Sequence, residues 1–572
     1  MTAILGINCF SHDTAACVMV DGVPVAMGEE ERFNRDRHTK AFPDLAISFC
    51  LAEAGLRFSD LDAVVMAHHA GRDFARGASD AIRRASPKRL AAQAFVDGRL
   101  MVREADFRRR WSYTGRIDHV GHHEAHAASA FFASPFDRAA VLTLDRGGDF
   151  LSSTLGLGEG NRLRILNEVA NPNSLGEVYS ALTWFLGFQP NGDEGKVMGL
   201  APYGGPRLSE ELKPLVHLRP DGLFSVDLSW FRYQREGGRP VSPKFLRRHG
   251  APRTPEGSLT ERDKSLAYAV QQLAEDVGLH VARRLRETTG ASKLCLSGGV
   301  ALNCVMNGRL LREAGFDEVF VQPAASDAGN ALGAALWWWH HRSAATGGTG
   351  ERTWSMEHAY LGTDVPDRHV ERAMDRLGRP YRRTSDPAGE AADLLSDGKV
   401  VGWFQGRAEV GPRALGARSI LADPRKAEMR DVVNLQVKRR EWFRPFAPSI
   451  LDEAGSEYFD GYVRNPFMTL AFDVRREMRD VIPAVTHVDG TSRLQSVWER
   501  TNPLYTRLIR SFAAKTGVPV VLNTSYNLRG EPIVHRPEDA LADFERSGMD
   551  AAVIGNYVVE KSAPEGSGAT SP

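Results

Sequence analysis

Short apolar runs, each followed by a polar or glycine-rich turn, recur along the chain. Residues 3–8, 14–20 and 23–28 predict three strands, and Asp21–Gly22 between the last two is a hairpin turn. Five further runs also predict strands: 139–144, 293–296, 319–321, 400–404 and 518–522. Because helical patterns separate these runs, the sequence predicts an α/β fold, with an α+β arrangement overall.

Helical stretches and one linker divide the chain into parts. Residues 171–188 predict a capped helix, and residues 259–289 predict a long one. The stretch 343–353 is rich in glycine and small residues, which is typical of a linker. We therefore predict three parts: a domain over residues 1–352, a domain over residues 353–561 and a disordered tail over residues 562–572.

Composition narrows the class of protein. The 572 residues carry 72 basic and 72 acidic side chains, so bulk charge favours neither a nucleic acid nor an anionic membrane as partner. No apolar run approaches the ~20 residues that span a bilayer, and the N-terminus lacks the basic region of a signal peptide. The five cysteines form no CxxC pair, which indicates a reducing compartment. We expect a cytoplasmic protein.

One stretch of the first domain has the composition of a metal site. A helix that opens near Gly121 places His122 and His126 on one face, a spacing that suits two ligands of one metal. Asp145 follows the strand 139–144, and Asp327 lies on a second strand-to-helix loop. Two imidazoles with carboxylates make a set that can hold Fe(II), Zn or Mn.

The spacing by itself is weak evidence. With 17 histidines in the chain, a chance HxxxH pair is expected, and His119 with His123 overlaps the first pair. We prefer His122 and His126 because alanines let a helix run through them, whereas His119 lies in a strand-like segment.

Other polar residues follow predicted strands. His12 and Asp13 lie in the loop after the first strand, where the actin-like and sugar-kinase ATPase fold faces nucleotide phosphates. The charged segment 29–40 is either a solvated face or a lid. In the glycine-rich segment 189–204, Lys196 suits a phosphate and Glu194 a ribose hydroxyl.

Two more regions suit anions. A strand, the Gly298–Gly299 turn and the start of a helix at 301 would bind an anion through backbone N–H groups, with Asn303 on that helix. In the second domain, six residues in loops after apolar strands would converge on one polyanion: Arg413, Lys438, Arg444, Arg493, Asn527 and Arg529. The arginine-rich stretch 72–116 predicts a solvent-facing helical insertion, or part of an acceptor pocket.

Ten motifs together resemble one family, and they occur in that family's order between residues 11 and 533. They are SHDTAA, GHHEAHAASA, LTLDRGGD, SLGEVYSALTWFLGF, GKVMGLAPYG, SGGVALNC, SDAGNALGAA, GPRALGARSI, VKRREWFRPFAP and NTSYNLRGEPI. The chain is thereby identified as a member of the NodU/CmcH O-carbamoyltransferases. One departure is Arg146, where the family more usually has an uncharged residue; it would pair with phosphate or with Asp149.

The resemblance implies a fold for each domain and a two-stage reaction. The first domain would have the actin-like ATPase (ASKHA) fold of threonylcarbamoyl transferases, and the second would be YrdC-like. Carbamoyl phosphate and ATP with Mg²⁺ would give carbamoyl-adenylate in the second domain. The carbamoyl group would then pass, in the first domain, to a hydroxyl of a small-molecule natural product, as in antibiotic biosynthesis. The family also implies a possible homodimer.

The resemblance also implies roles for the matching residues. Fe(II) would sit on His122, His126, Asp145 and Asp327. His12 would be the general base on the acceptor hydroxyl, with Asp13 either orienting it or acting as the base itself. The nucleotide contacts of the first domain would be Lys196, Gly298, Gly299 and Asn303, and the six residues of the second domain would bind carbamoyl phosphate and ATP.

Three alternatives share parts of this pattern. A tRNA threonylcarbamoyl transferase would use the same first domain, but the second domain and the neutral charge fit it less well. A hydrogenase-maturation carbamoyltransferase would carry CxxC motifs and an acylphosphatase domain, and the chain has neither. A non-catalytic regulatory protein on the same scaffold would have lost His12 or the arginines.

Overall fold

The computed structural model describes residues 1–9, 12–68, 104–234, 238–342 and 352–561. The chain forms two compact units, one of Met1–Glu357 with Thr469–Ala471 and one of His358–Met468 with Phe472–Pro572. The predicted tail, most of the predicted linker and residues 72–103 of the arginine-rich stretch lie outside the described residues. Residues 104–111 of that stretch are helical.

The first unit begins with a five-stranded sheet in the order β3-β2-β1-β4-β5. Its strands are β1 (Ala3–Asn8), β2 (Ala15–Val20), β3 (Val23–Glu29), β4 (Ala63–Met66) and β5 (Ile117–His119). The first three strands pair antiparallel, and β4 and β5 continue parallel to β1. Strands β1 and β4 are buried at every position, which explains why they read as unbroken apolar runs.

A second sheet of this unit repeats the same order. Its strands are β6 (Arg138–Gly148), β7 (Leu151–Glu159), β8 (Arg162–Ala170), β11 (Lys293–Ser297) and β12 (Glu318–Val321). Here β6, β7 and β8 pair antiparallel, and β11 and β12 continue parallel to β6. The predicted α/β class is confirmed, and this arrangement agrees with the actin-like ATPase fold that the resemblance implied. A small hairpin, β9 (Val216–Leu218) with β10 (Phe224–Val226), lies between the two halves of the second sheet in sequence.

Ten helices of the first unit are α1 (Glu30–Asn34), α2 (Asp44–Glu53), α3 (His122–Phe131), α4 (Leu175–Phe185), α5 (Glu194–Leu200), α6 (Ser209–Leu212), α7 (Pro243–His249), α8 (Glu261–Thr289), α9 (Cys304–Glu313) and α10 (Asn330–Arg342). The long predicted helix is α8, which starts with a capping box between Thr260 and Asp263 and ends at Gly290 in a left-handed conformation. The helix predicted from residue 301 begins later, because Gly299–Leu302 is a 3-10 turn and Asn303 caps α9.

Helices α3 and α10 pack tightly against each other. A Cβ on Gly333 of α10 would lie 2.0 Å from the carbonyl oxygen of Ala125 on α3. The two helix backbones therefore approach as closely as they do only because residue 333 is glycine. This contact fixes α3, which carries the two predicted metal-binding histidines, against α10.

The second unit is built on an eight-stranded sheet in the order β13-β22-β21-β14-β15-β20-β16-β19. These strands are β13 (Tyr381–Arg383), β14 (Val401–Phe404), β15 (Arg418–Ala422), β16 (Ala447–Leu451), β19 (Gln495–Val497), β20 (Val520–Ser525), β21 (Ala551–Ile554) and β22 (Tyr557–Glu560). A separate pair joins β17 (Phe472–Asp473) to β18 (Thr491–Ser492).

The helices of the second unit are α11 (Asp367–Leu377), α12 (Pro387–Ser396), α13 (Met429–Asp431), α14 (Gly455–Tyr458), α15 (Pro503–Thr516) and α16 (Pro537–Arg546). A π-helical turn, Val432–Val437, follows α13. Helices α12 and α15 pack together over a core that includes Trp403, Tyr505 and Phe512. The YrdC-like assignment of this unit stays a prediction.

Among the described residues, every helix is too short or too polar to cross a bilayer. All five cysteines are buried and free of disulfide bonds.

Candidate metal centre and anion site

Four side chains from three places in the first unit converge at one point. His122 and His126 come from α3, Asp145 from β6, and Asp327 from the short turn before α10. Each of the four is buried and offers one ligand atom, and these atoms lie within 4.8 Å of one another. The structure thus brings together the four residues that the sequence predicted as a metal site.

The distances in this cluster centre on the two imidazole Nε2 atoms. His122 Nε2 lies 3.3 Å from Asp145 Oδ2 and 3.6 Å from Asp327 Oδ1. His126 Nε2 lies 3.5 Å from the same oxygen of Asp327. All the nitrogen and oxygen donors therefore face a common volume.

A strand irregularity aims Asp145 into this volume. The β6–β7 pairing is regular up to Leu144 and is interrupted before Gly148, so residues 145–147 bulge out of the ladder. Asp145 Oδ1 accepts a hydrogen bond from the Gly299 N–H at 2.8 Å, and Oδ2 accepts one from the Gly147 N–H at 3.1 Å. Backbone donors therefore fix the carboxylate before any ligand binds.

The histidines are held in a similar way. His126 Nδ1 lies 3.2 Å from the hydroxyl of Ser297, which leaves Nε2 to face the cluster. The His122 backbone N–H donates to Asp149 Oδ2 at 2.6 Å, and a Cβ on Gly148 would lie 2.2 Å from the His122 ring. Residue 148 must therefore be glycine for His122 to take this position.

The charges of the cluster suit a cation. Burial lowers the pKa of His122, but Asp327 and Asp145 outweigh it and raise the pKa to about 9. Burial would raise the pKa of Asp145, but contact with His122 and the charge of His126 hold it well below its usual range. Two buried carboxylates beside two imidazoles are a donor set that fits a borderline divalent metal ion.

The neighbouring histidines have other roles. His123 is fully buried with Nδ1 2.7 Å from the Thr143 hydroxyl, and burial lowers its pKa to about 3, so it is a neutral core residue. His119 contacts the His68 carbonyl and Glu104 instead of the cluster. The overlapping pair His119 and His123 is therefore not the ligand pair.

Two predictions for this region need correction. Arg146 does not pair with Asp149, because its Nε donates to Glu177 Oε1 at 2.9 Å, whereas a contact of Arg146 with phosphate stays a prediction. The charged segment 29–40 is not a solvated face, because Glu29, Glu30 and Arg32 are buried. Glu30 accepts a hydrogen bond from the Ala46 N–H at 2.8 Å, and Arg32 donates to Glu29.

The sequence did not single out His68. It lies just after β4, and its Nδ1 pairs with Asp149 Oδ1 while the other oxygen of Asp149 holds the N-terminus of α3. No local pattern marks His68, because its partner is far away in the chain. Of this pair, the sequence drew attention only to Asp149, the last residue of the DRGGD turn.

His12 and Asp13 lie together beside the cluster. His12 Nδ1 is 3.2 Å from Asp13 Oδ2. Burial lowers the pKa of His12, but the hydrogen bond to Asp13 and the charges of Asp327 and Asp145 raise it to about 9. His12 is therefore electrostatically linked to the predicted metal ligands.

The predicted nucleotide contacts of the first unit are partly engaged by the protein. Lys196 pairs with Asp193 at 3.0 Å. The Gly299 N–H donates a hydrogen bond to Asp145. The preceding residue, Gly298, has a φ of 93° and packs against the Leu144 carbonyl. Their role as nucleotide ligands stays a prediction.

Two further residues of that region serve the fold. Asn303 accepts from the Met306 N–H and exchanges hydrogen bonds with Gln271. Glu194, suggested for a ribose hydroxyl, accepts from the Ser180 hydroxyl and from two loop N–H groups.

In the second unit, two predicted anion ligands bind each other. Lys438 is buried, and its ammonium group donates to Asn527 Oδ1 at 2.6 Å, to the Asn527 carbonyl at 2.6 Å and to the Ser525 carbonyl at 2.7 Å. The Asn527 amide donates to the Glu531 carbonyl at 2.6 Å. In this structure Lys438 and Asn527 therefore fix the loop that carries Arg529.

Arginines of the second unit lie close together. The Arg440 guanidinium donates through Nε to Asn434 at 2.7 Å and lies 4.5 Å above the Phe446 ring. Burial lowers the pKa of Arg440 well below its usual value, and the positive charges of Arg444 and Arg493 lower it further. Such a cluster of like charges favours an anionic ligand.

Arg493 supports the same interpretation. Its Nε is buried with no hydrogen-bond partner among the described residues, so a donor is available for a ligand. Arg413 is half-buried and Arg529 is exposed. Arg440 lies in the VKRREWFRPFAP motif but was not predicted as a ligand, because nothing local in the sequence indicates its contact with Asn434.

With this geometry described, comparison with known proteins identifies the chain. Residues 3–336 match the family described as "Carbamoyltransferase N-terminus" and residues 392–561 match "Carbamoyltransferase C-terminus". The protein belongs to the carbamoyltransferase family and is a transferase enzyme of that family.

Individual relatives agree with this membership. "Nodulation protein NolNO" of Sinorhizobium fredii is 40% identical over 97% of this chain and 80% of its own length. "3'-hydroxymethylcephem-O-carbamoyltransferase" of Amycolatopsis lactamdurans is 39% identical over 48% of this chain and 50% of its own length. An uncharacterized protein of Synechocystis is 41% identical over 98% of this chain and 97% of its own length.

Solved structures give only distant likenesses. Full-length HypF in its phosphate- and nucleotide-bound form is 13% identical, with a TM-score of 0.30 over 62% of this chain and 56% of that one. Component A of the Acidaminococcus fermentans (R)-2-hydroxyglutaryl-CoA dehydratase is 14% identical, with a TM-score of 0.30 over 59% of this chain and 97% of that one. At these scores the likenesses add nothing to the fold described above.

Metal content tests the donor set directly. We expect the purified enzyme to retain about one divalent ion per chain, and Asp327→Asn to lower metal affinity at least about tenfold because it removes a carboxylate charge while keeping the shape. Inductively coupled plasma mass spectrometry after dialysis measures the stoichiometry. His119→Ala is the matched control and should keep the metal; retention by Asp327→Asn at the wild-type level would contradict the assignment.

A pair of neighbouring carboxyl groups, of which Asp543 is buried, makes the second unit sensitive to pH. Arg546 contacts both Asp543 and Glu531, and burial together with the charge of Glu531 raises the pKa of Asp543 from 3.8 to about 7. The folded state therefore binds more protons than the unfolded state between these values, so stability falls as pH rises through this window.

We expect the free energy of unfolding of the second unit, measured in urea, to be lower at pH 8 than at pH 5 and to fall by at most about 1.4 kcal/mol per pH unit for one proton. Asp543→Asn should remove most of this difference, whereas Asp480→Asn, at an exposed position, should leave it unchanged. Denaturation followed by circular dichroism measures both. A wild-type midpoint that does not fall between pH 5 and pH 8 would refute the shared proton.

Proposed function

We propose that the enzyme is an ATP-dependent O-carbamoyltransferase that works in two stages. The observation that carries this proposal is the presence of two chemically different polar sites, one in each unit. The first unit has buried carboxylates and imidazoles beside His12, and the second unit has clustered arginines. A reaction that first activates a polyanion and then transfers a neutral group needs both kinds of site.

Stage one would take place in the second unit. Carbamoyl phosphate would react with water to give carbamate and phosphate, and a carbamate oxygen would attack the α-phosphorus of ATP. The products would be carbamoyl-adenylate and pyrophosphate. Arg444, Arg493 and Arg440 would hold the phosphates together and offset the charge that develops on the leaving pyrophosphate. Arg413 and Arg529 are further candidates for these contacts.

Stage two would take place in the first unit, with the metal ligands His122, His126, Asp145 and Asp327. When bound, a divalent cation would orient the adenylate phosphate, polarise the carbamoyl carbonyl and offset the carboxylate charges that raise the pKa of His12. The donor set is compatible with Fe(II), and the family resemblance favours it over zinc or manganese.

His12 is the better candidate for the general base. Burial would raise the pKa of Asp13, but hydrogen bonds from His12 and His38 hold it well below its usual range, so Asp13 is a weak base. His12 would take the proton of the acceptor hydroxyl as the oxygen attacks the carbamoyl carbon and AMP leaves. Asp13 would orient the imidazole.

We propose a small-molecule hydroxyl as the acceptor. The relative from Amycolatopsis lactamdurans is named for O-carbamoyl transfer to a 3'-hydroxymethylcephem. Equal numbers of acidic and basic residues give no general attraction for nucleic acid. A natural-product hydroxyl, as in antibiotic biosynthesis, therefore fits better than a tRNA.

The two stages are separable by assay. With carbamoyl phosphate, MgATP and Fe(II) but no acceptor, we expect pyrophosphate formation that depends on carbamoyl phosphate. Arg493→Ala should slow it about 100-fold or more, because the charge that neutralises the phosphates is lost. Arg368→Ala, an exposed arginine of the same unit, is the matched control and should retain full activity.

His12→Asn should keep pyrophosphate formation but abolish transfer of [¹⁴C]carbamoyl to a hydroxyl panel that includes a 3'-hydroxymethylcephem. Transfer by His12→Asn at the wild-type rate would remove His12 as the base. Absence of carbamoyl phosphate-dependent pyrophosphate from the intact wild-type enzyme would refute the two-stage proposal.

A further inference from the structure

The Asp13 carboxylate lies between two imidazoles. Its Oδ2 is 3.2 Å from His12 Nδ1, and its Oδ1 is 2.7 Å from His38 Nδ1. Each oxygen therefore has its own histidine, and both histidines use Nδ1. His12 comes from the loop after β1, whereas His38 comes from the segment after α1.

Strained backbone holds this arrangement in place. Asp13 has a φ of 58° and His38 a φ of 56°, a left-handed conformation that is uncommon for residues other than glycine. The Asp13 carbonyl accepts from the Asn8 amide at 3.1 Å, and the His38 N–H donates to Glu31 Oε2 at 2.8 Å. Several contacts therefore maintain the conformation on both sides of the carboxylate.

A carboxylate with only one partner can rotate about its χ2 bond. The second hydrogen bond, from His38, removes that freedom and keeps Oδ2 on His12. When His12 Nδ1–H donates to Asp13, the other ring nitrogen, Nε2, is the one that can accept a proton. The contact made by His38 thus decides which nitrogen of His12 is available.

We propose that His38 is a positioning residue for carbamoyl transfer, acting through Asp13 on His12. The inference rests on the proposed role of His12 as base. In the transfer step the acceptor O–H bond breaks and its proton moves to His12 Nε2. The O–C bond to the carbamoyl group forms, and the bond between that carbon and the adenylate oxygen breaks to release AMP.

The charges around both histidines make the coupling measurable. His12 faces Asp13, Asp145 and Asp327, and His38 faces Asp13, Glu31 and Arg37. Contact with Asp13 outweighs burial and raises the pKa of His38. The hydrogen bond to Asp13 is also the largest contribution that raises the pKa of His12. If loss of His38 lets Asp13 turn away from His12, the pKa of His12 should therefore fall.

The test uses the full-length enzyme and needs no known acceptor. Diethyl pyrocarbonate modifies neutral imidazole, so the pH dependence of its reaction with His12, read by peptide mass spectrometry, reports the apparent pKa of that residue. We expect His38→Gln to lower this pKa by about one unit, because Asp13 is no longer held on His12. His217→Gln, at an exposed position in the same unit, is the matched control and should cause no shift.

His38→Asn is a second variant, so that the test remains possible if one variant does not fold. Circular dichroism checks the folding of both variants. Where an acceptor is available, kcat for transfer should fall about tenfold with the acceptor KM and the pyrophosphate rate unchanged. An unshifted His12 pKa in both folded variants would overturn the proposal.

A different result would also overturn it. The Asp13, Glu31 and His38 ligand atoms lie within 4.8 Å of one another, a spacing that could also hold a metal ion. If His38→Gln lost one equivalent of bound metal relative to wild type, His38 would be a ligand instead of a positioning residue. A shifted His12 pKa in an enzyme that makes no pyrophosphate would support the coupling and refute the proposed function.

Discussion

The burial of two carboxylates beside two imidazoles is the constraint on which the first unit depends. Removing Asp145 and Asp327 from water is costly unless positive charge lies beside them. The protein supplies His122 and His126 at 3.3–3.6 Å from the carboxylate oxygens. These four residues leave room for a cation that would replace protons on the imidazoles.

The duplicated sheet explains how residues so distant in sequence reach one point. Each half contributes three antiparallel strands and two parallel ones. In the second half, the ends of β6 and β11 lie side by side, which puts the bulge of Asp145 next to the Ser297–Gly299 turn. Helix α3 is held by its close contact with α10, and Asp327 lies in the turn from which α10 begins. The same packing therefore positions all four ligands.

The second unit solves the opposite electrostatic problem. Several of its arginines gather in one place, and burial, together with the charges of Arg444 and Arg493, lowers the pKa of Arg440. Lys438 and Asn527 instead satisfy each other and brace the loop of Arg529. Such a division, with some polar residues fixing loops and others left to meet a ligand, is expected where phosphates must be bound and then released.

Local pattern predicted eight of the 22 strands that the described residues form, the long helix and the four converging residues, because each depends on spacing or on its place after a strand. Local pattern could not predict contacts between segments that are distant in the sequence. Nothing near His68 indicates its pairing with Asp149, and the Arg146 partner, Glu177, lies on a different element. Lys438 and Asn527 were predicted in one site, but sequence could not show that they bind each other. The duplication was also missed, since it is a repeat of strand order and not of residues.

The central claim is that a metal ion sits on two histidines and two carboxylates of the first unit. X-ray absorption spectroscopy at the edge of the bound metal tests it most directly. We expect a shell of nitrogen and oxygen atoms only, with the multiple scattering of two imidazoles, since every cysteine is buried elsewhere in the fold. A sulfur shell at about 2.3 Å, or a spectrum without imidazole scattering, would contradict the account.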